Sequence, residues 1–589
     1  MSGKKLNFGK LYSVREIKDL KDMLYQSGNL FAKNNAFMVK NDNGSYKNIT
    51  YTQFKSDTDA LGTALISLGL KDAFIAVIGE NRYEWCLTYL SVTNGTGVIV
   101  PLDKELPKED LDYILIKSNA SAIVFSGKHI ENIKKFLKDS NNIKYFINMD
   151  SEIDDGKFLS FNRLLEKGRD LIKKGNREYI DTVIDSTKMS VLLFTSGTTG
   201  FAKGVMLSHK NICSNMMSIR NTVSVGCEDS SLSILPLHHT YECTIGFLCL
   251  IYSGGTIAFS ESLRQIPRNL KEFKPTIMVT VPLLLENIYR KIWNQVGKKV
   301  CGKLLFRCAI FIGIFLKKVF GVDARRKIFK DIYDNLGGRI RLIITGAAAI
   351  DPVVSRFFRN IGMKVLQGYG LTECSPLVAG NRDKVCKDNS VGVPIPGVEI
   401  SVINTDEKGV GEIITKGDNL MVGYFENEEA TKKSIVDGWF HTGDLGRFDK
   451  CGFLYITGRI KNVIVTKNGK NIYPEELEAS INRNPFVQES LVCGITDRSS
   501  GETHVYAQIL PNIEAIKEKL KVISISKEDL MKIFNDIVKS INKNLPLYKH
   551  IKKFSLRDND FIKTTTRKIK RHLEIKSKYS IGGNDANKC

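Results

Sequence analysis

The sequence predicts an α/β protein, a large N-terminal domain of parallel-rich sheets with covering helices followed by a small α+β C-terminal domain. Three observations predict it. At 589 residues the chain is too long for one hydrophobic core. Through its first three quarters, short fully apolar runs alternate with helical patterns, the rhythm of a parallel sheet covered on both faces. After Gly458-Arg459 the pattern turns mixed.

Taken in order, Phe74–Ile78, ending at Gly79, reads as the first core strand, Thr96–Leu102 as the second and Ala122–Phe125 as the third, with a helical pattern at Leu61–Leu68 before them. Val191–Phe194 is a further strand, running into a Ser/Thr/Gly-rich loop. Ser208 then caps a helix to about Ile219, and Arg341–Ile344 is a later strand ending at Thr345-Gly346. Ser490–Ile495 and His504–Leu510 read as two strands joined by a polar turn, and a helix from about Lys527 to Asn544 stops before Pro546. The expected domains are 1–458 and 459–576, with a polar tail at 577–589.

Composition is that of a soluble globular protein, 42% hydrophobic and 25% charged, so disorder is not expected. The net charge of +22 fits a nucleic acid, an anionic membrane or a polyanionic small molecule. The basic residues are spread along the whole chain without a dedicated arm, so no nucleic-acid partner is expected. The 12 Cys include no CxxC pair and the eight His are scattered, which gives no zinc site. Cys86, Cys249, Cys308 and Cys493 lie in apolar runs and read as buried, reduced thiols of a cytoplasmic protein. Met1–Lys10 is polar and basic, unlike a secretory signal, and the apolar run Cys308–Leu316 is too short to cross a bilayer. Oligomeric state is not encoded in any of these features.

Chemistry concentrates first in the run from Thr195 to Gly204. Glycines allow a tight turn that points N–H groups inward, Ser196, Thr198 and Thr199 add hydroxyls, and Lys203 adds a positive charge, a set that binds a polyphosphate. It is not a Walker A loop, because Lys203 is followed by Gly204 rather than Ser or Thr. This ordered run directly after an apolar strand resembles the phosphate-binding signature of the adenylate-forming superfamily of acyl-CoA synthetases, luciferases and peptide-synthetase adenylation domains. Further motifs follow in the superfamily's order, and the resemblance covers about Leu30 to Leu573.

The resemblance implies ATP, Mg²⁺ and coenzyme A as cofactor and substrates. It implies that Thr195, Ser196, Gly197, Thr198, Thr199 and Lys203 hold the phosphates, with Thr195 also at the metal. In Gln367-Gly368-Tyr369-Gly370-Leu371-Thr372-Glu373, Tyr369 offers a flat face to adenine, Thr372 a donor to the α-phosphate and Glu373 a hard oxygen for Mg²⁺. Gly346, Ala347 and Ala348 resemble the small-residue wall of the adenine and acyl pocket. Asp444, in Trp439–Asp444, is placed to accept both ribose hydroxyls, as a carboxylate can, with Arg459 beside it. Lys461 falls at or near the hinge about which the small domain is mobile, and Gly469 lies where the pantetheine arm passes. Lys568 aligns with the catalytic lysine, although the preceding residue is Arg567 where the superfamily usually has Gly. In Leu235–Glu242, either His238 or Tyr241 shapes the acyl entrance.

The resemblance is strongest to bacterial long-chain fatty acyl-CoA synthetases. The expected reaction is therefore ATP-dependent activation of a fatty acid to acyl-AMP, then transfer to coenzyme A. An alternative is a ligase of the same superfamily acting on an aryl acid or a carrier-protein thiol; a non-catalytic nucleotide-binding or nucleic-acid-binding protein is a more distant one. Residues from about Trp293 to Lys330, basic and apolar by turns, read as a helical insertion that either lies on an anionic membrane or packs into the core. In the former case the protein is peripheral on the inner face of the membrane.

Overall fold

Parallel pairing dominates both large sheets. In an eight-stranded sheet, Gly97–Leu102, Ala73–Ile78, Ala122–Phe125, Tyr145–Asn148 and Phe158–Ser160 lie side by side in parallel, with Met189–Thr195 parallel to the first. The central strands are buried on both faces, so they read as uninterrupted apolar runs rather than alternating ones. At the other edge the chain folds back, Met189–Thr195 against Lys203–Ser208, and Gly423–Tyr424 adds an antiparallel edge strand. A nine-stranded sheet has a parallel core of Asn35–Lys40, Thr256–Phe259, Ser230–Ser233, Ile277–Thr280, Leu342–Thr345 and Lys364–Gly370. Antiparallel strands Tyr46–Thr50, Leu377–Gly380 and Val393–Pro394 close its edges. This computed structural model describes residues 8–41, 43–137, 143–195, 202–466, 470–496, 503–563, 569–571 and 573–575.

The strands expected from sequence lie within a residue or a few of their observed bounds. The helix expected at 61–68 is longer, Tyr51–Ser67. Its first half buries Asp57 and Asp59, which interrupt the apolar period. Distant donors reach both, Tyr83 (2.8 Å) and Arg169 (2.7 Å) on Asp57 and Tyr25 (2.7 Å) on Asp59, which Lys55 of the same helix also reaches (3.0 Å). Ser208 caps His209–Thr222 through a reciprocal capping box with Asn211. Cys86 and Cys249 are buried, but Cys308 is exposed and Cys493 half-buried, a correction to the expectation of four buried thiols.

The chain divides into two compact units. The first runs to Ile400 and includes Thr415–Phe440 and Lys450–Leu454; the second comprises Ser401–Ile414, His441–Asp449 and the chain from Tyr455 on. The second unit is α+β. Val487–Thr496 pairs antiparallel with Thr503–Pro511, which is parallel to Ile551–Leu556, and helices Pro474–Asn482 and Lys527–Asn542 accompany this sheet. Its own core includes Ile472, Leu477, Ile481, Val492, Ile509 and Phe534. Among the described residues no helix is long and apolar enough to cross a membrane.

Candidate active site

Thr195 and Lys203 face each other at the last pair of the hairpin Met189–Thr195/Lys203–Ser208, which fixes both ends of the Ser/Thr/Gly loop. Ser196, Gly197, Thr198 and Thr199 themselves lie outside the described residues. Lys203 Nζ sits 4.9 Å from the centre of the Tyr424 ring, a cation–π distance. The edge strand puts Tyr424 there by pairing it with Val205, while Phe425 N donates to Gly204 O (2.7 Å). The Tyr424 hydroxyl donates to Glu373 Oε1 (3.0 Å). Burial, and then the Glu373 charge, raise the Tyr424 phenol above its ordinary range, so it stays a donor. Three segments distant in sequence thus place a cation, a phenol and a carboxylate in one line.

Glu373 sits in the 3₁₀ turn Thr372–Cys374, directly after the strand Lys364–Gly370. Gln367–Gly370 is the end of that strand, paired Thr345↔Gln367 on one side and Gly368↔Gly380 on the other. Gly370 is required there, because a Cβ would lie 2.0 Å from Pro376 O. Two asparagines hold the turn. Asn215 Nδ2 donates to Cys374 O (3.3 Å) and Leu377 O (2.7 Å), and Asn419 Nδ2 to the same two carbonyls (2.9 and 3.0 Å). Met421 N donates to Glu373 O (2.8 Å). The Glu373 backbone is therefore fixed from two sides while its carboxylate is half-buried.

This donor set fits Mg²⁺. Tyr424 occupies one oxygen of Glu373, and the Thr195 hydroxyl at the hairpin end, 3.5 Å from Lys203 O, would be the second hard oxygen. One carboxylate and one hydroxyl, completed by phosphate and water, are what Mg²⁺ takes. Among the described residues no group of three or more His, Cys, Asp or Glu could hold a metal by protein ligands alone.

Gly346, Ala347 and Ala348 leave the C-terminal end of the strand Leu342–Thr345, beside Gln367, Gly368 and Tyr369 on the neighbouring parallel strand. In open α/β sheets this is where ligands bind. Tyr241 lies against them: its ring is 3.3 Å from where a Cβ on Gly346 would be, and its hydroxyl donates to Thr280 O (3.1 Å) and Ile344 O (3.2 Å). The hydroxyl is thereby spent on the scaffold. His238 is almost wholly buried, and burial, then Lys104, hold its imidazole neutral, with a pKa pushed down to about 3. Asp103 stands 3.6 Å from Nε2, too far for a hydrogen bond.

Sequence reasoning did not assign Glu242, which lies in the π-helical segment Tyr241–Leu248 and is 1% exposed. Ser233 Oγ donates to its Oε1 (2.6 Å), and Asn81 Nδ2 donates to Ser233 Oγ (2.8 Å) and Leu235 O (2.6 Å). Asn81 Oδ1 in turn accepts from Leu237 N (3.2 Å). This chain of bonds fixes the loop that carries His238. Among the described residues Oε2 of Glu242 has no hydrogen-bond partner, and burial pushes the carboxyl up to about 8. Gly246 leaves it room, since a Cβ there would lie 2.7 Å from the carboxyl carbon. The available signal was an acid four residues ahead of a glycine in an otherwise apolar stretch, Cys243–Ile251.

In the second unit, Arg459 Nε reaches Asp444 Oδ1 at 2.9 Å, so these two predicted residues meet. Asp444 is 5% exposed and lies in the strand Trp439–Phe448, not in a turn. Its N–H donates to Thr442 Oγ1 (3.0 Å), and Thr442 Oγ1 donates to Ile413 O (2.6 Å). Glu412 braces the same segment, accepting from Gly443 N (3.2 Å) and lying 3.2 Å from His441 Nδ1. Lys461 lies in the 3₁₀ turn Ile460–Asn462 that follows Arg459. Gly469 and Lys568 lie outside the described residues.

Residues 29–425 match the AMP-binding enzyme family, and residues 461–579 match the AMP-binding enzyme C-terminal domain. The chain is similar to long-chain-fatty-acid–CoA ligase 5 of Rattus norvegicus, 32% identical over 521 residues, covering 83% of this chain and 75% of that protein. It is also similar to long-chain-fatty-acid–CoA ligase FadD15 of Mycobacterium bovis, 27% identical over 466 residues, covering 77% of this chain and 76% of the relative. In fold it resembles the crystal structure of the anthranilate CoA ligase AuaEII with anthranoyl-AMP, TM-score 0.75 at 18% identity, covering 97% of this chain and 99% of that one. It likewise resembles a fatty acyl CoA synthetase of Mycobacterium tuberculosis, TM-score 0.64 at 21% identity, covering 96% and 98%. With both domains matched in order and a 32% identical ligase spanning most of its length, the chain belongs to the AMP-binding enzymes, in the long-chain fatty acyl-CoA ligase family.

Proposed function

We propose that the chain converts a long-chain fatty acid, ATP and coenzyme A into acyl-CoA, AMP and pyrophosphate. A fatty acid carboxylate is a poor acyl donor because its oxygen is a poor leaving group. A carboxylate oxygen attacks the α-phosphorus of ATP, the bond from that phosphorus to the bridging oxygen breaks, and pyrophosphate departs. The thiol of coenzyme A, giving up its proton, then attacks the acyl carbon and AMP leaves.

The first step brings two anions together. At about 4 Å and an effective dielectric constant of about 20, each pair of unit charges costs about 4 kcal/mol. Positive and hydrogen-bonding groups aimed at the phosphates offset that cost. In this reading Lys203 and the loop Thr195–Thr199 hold the β- and γ-phosphates, Thr372 donates to the α-phosphate, and Lys568 bridges it to the carboxylate. Glu373 and Thr195 hold Mg²⁺, which when bound neutralises phosphate charge. Asp444 and Arg459 take the ribose, Tyr369 and Gly346–Ala348 the adenine, and His238 with Tyr241 line the acyl side. The small domain, 459–576, turns about Lys461 between the half-reactions, withdrawing Lys568 and presenting Gly469 to the pantetheine arm. The protein works in the cytoplasm, in peripheral contact with the inner face of an anionic membrane.

The observation that carries this reading is the line Lys203–Tyr424–Glu373, which joins the base of the phosphate loop to the acid of the second motif in a chain of this family. The test is ATP–pyrophosphate exchange across fatty acids of rising chain length, with acyl-CoA identified by mass. Exchange that needs a fatty acid supports the proposal; exchange with aryl acids alone, or adenylation without acyl-CoA, refutes it.

A further inference from the structure

The helix Gly302–Phe320 is apolar on two opposite faces, and only one of them is packed. Phe306 turns inward, its ring 5.4 Å from Trp293 and 5.4 Å from Phe329, and Gly313 is buried where the Arg325 side chain passes. On the far side, Leu304 (64% exposed), Phe311 (69%), Phe315 (45%) and Val319 (56%) repeat at helical spacing, with Ile312 (50%) beside them. The rings of Phe311 and Phe315 stack on each other at 6.2 Å. Together they leave several hundred Å² of contiguous apolar surface in water, on the order of the largest patch an ordinary monomer shows, and such patches mark contact sites.

Charge identifies the occupant. Residues 287–322 contain eight Lys and Arg and no Asp or Glu. Lys303, Arg307 and Lys318 are exposed along the helix, and Lys299 is exposed in the turn before it. A second copy of this chain seated on the same face would bring two such cationic sets together. An anionic lipid surface satisfies both features at once, taking the apolar stripe below the headgroups and the cations at their level. No described helix is long and apolar enough to span, so the helix would lie in the plane of the surface.

We propose that the helix Gly302–Phe320 is an in-plane anchor that docks the protein on anionic lipid through Leu304, Phe311, Ile312, Phe315 and Val319, with Arg307 and Lys318 gripping the headgroups. This rests on the peripheral membrane contact proposed above and is independent of the ligase chemistry. The test is flotation of the full chain with phosphatidylcholine vesicles with and without phosphatidylglycerol. It compares the parent, the F311S/F315S variant and the R307Q/K318Q variant, with melting temperature, solution acyl-CoA formation and sedimentation measured in parallel. The parent is expected to float with the anionic vesicles, less so at high salt. F311S/F315S should lose about tenfold or more in partitioning, with melting and solution activity unchanged because both rings are exposed. R307Q/K318Q should lose about fivefold per residue on anionic vesicles only. Undiminished binding by F311S/F315S overturns the anchor while leaving membrane contact standing. Absence of binding by the parent overturns both. A parent dimer that F311S/F315S dissolves, without vesicle binding, assigns the stripe to a second copy and overturns the proposal.

Discussion

Replacing Glu242 with glutamine changes one atom of the acid chain behind His238 and removes its titration. In the folded protein burial pushes this carboxyl up to about 8, against an ordinary 4.5. Between those values the native state keeps a proton that the unfolded chain has released. Stability contributed by the group therefore falls as pH rises through the window, by about 1.4 kcal/mol per unit, and levels off above the folded value. From about pH 5 to about pH 8 the loss is on the order of 4 kcal/mol. Glutamine accepts the Ser233 hydroxyl through its carbonyl but sets two N–H donors where Oε2 has no partner among the described residues, a fixed cost of about 1 kcal/mol that does not vary with pH. The variant should be the less stable protein near pH 5 and the more stable one near pH 8.

Unfolding entropy of about 2.1 cal/mol/K per residue makes 1 kcal/mol worth about 1 °C in a unit of this size. Melting temperatures of the parent and E242Q, recorded by scanning fluorimetry over that pH range, should thus cross and diverge by about 4–5 °C in total. All other titrating groups are common to both proteins and cancel in the difference. Parallel curves would show that the carboxyl ionises in the ordinary range, and the argument from its burial would then be wrong.

Removing the Tyr424 hydroxyl (Y424F) keeps the ring under Lys203 but frees Glu373; ATP–pyrophosphate exchange should fall about tenfold and need more Mg²⁺, as a Mg²⁺ titration would read. D444N weakens a charge-assisted acceptor held by Arg459 and should raise KM for ATP about 10- to 100-fold, with less effect on kcat, measured by steady-state kinetics. K568A should abolish adenylation while leaving thioesterification of supplied acyl-adenylate largely intact; loss of both half-reactions would contradict the role given to this lysine.

What sequence could show depended on the range of the signal. Core strands such as Ala73–Ile78 and Ala122–Phe125 declared themselves because burial on both faces demands an unbroken apolar run, a property of four to six adjacent residues. The cap at Ser208 was visible because a capping box is local. The helix Tyr51–Ser67 was half missed because Asp57 and Asp59 break its period, and their partners Tyr83, Arg169 and Tyr25 lie elsewhere in the chain. The insertion at 293–330 was read as either membrane-facing or core-packed; its main helix has one packed face and one exposed apolar face, and a linear apolar count cannot divide them.

The same distinction runs through the site. The loop ending at Lys203 and the acid Glu373 stand in contiguous motifs, so residue type and spacing singled them out as candidates. Tyr424 stands in no motif, and it reaches Glu373 only because Gly423–Tyr424 adds to the sheet edge beside Val205 and Met206. Asn215 and Asn419 likewise act only where their helix and loop converge on the carbonyls of Cys374 and Leu377. The groups expected to meet substrate are written in runs, because a loop that wraps a phosphate needs consecutive backbone. The groups that hold them come singly, because a carboxylate oxygen needs one donor and the fold can supply it from anywhere. A phenol that holds Glu373 without meeting the phosphates should therefore alter metal and nucleotide handling while leaving acid selectivity untouched, and an acid preference that shifted in Y424F would place Tyr424 among the substrate contacts instead.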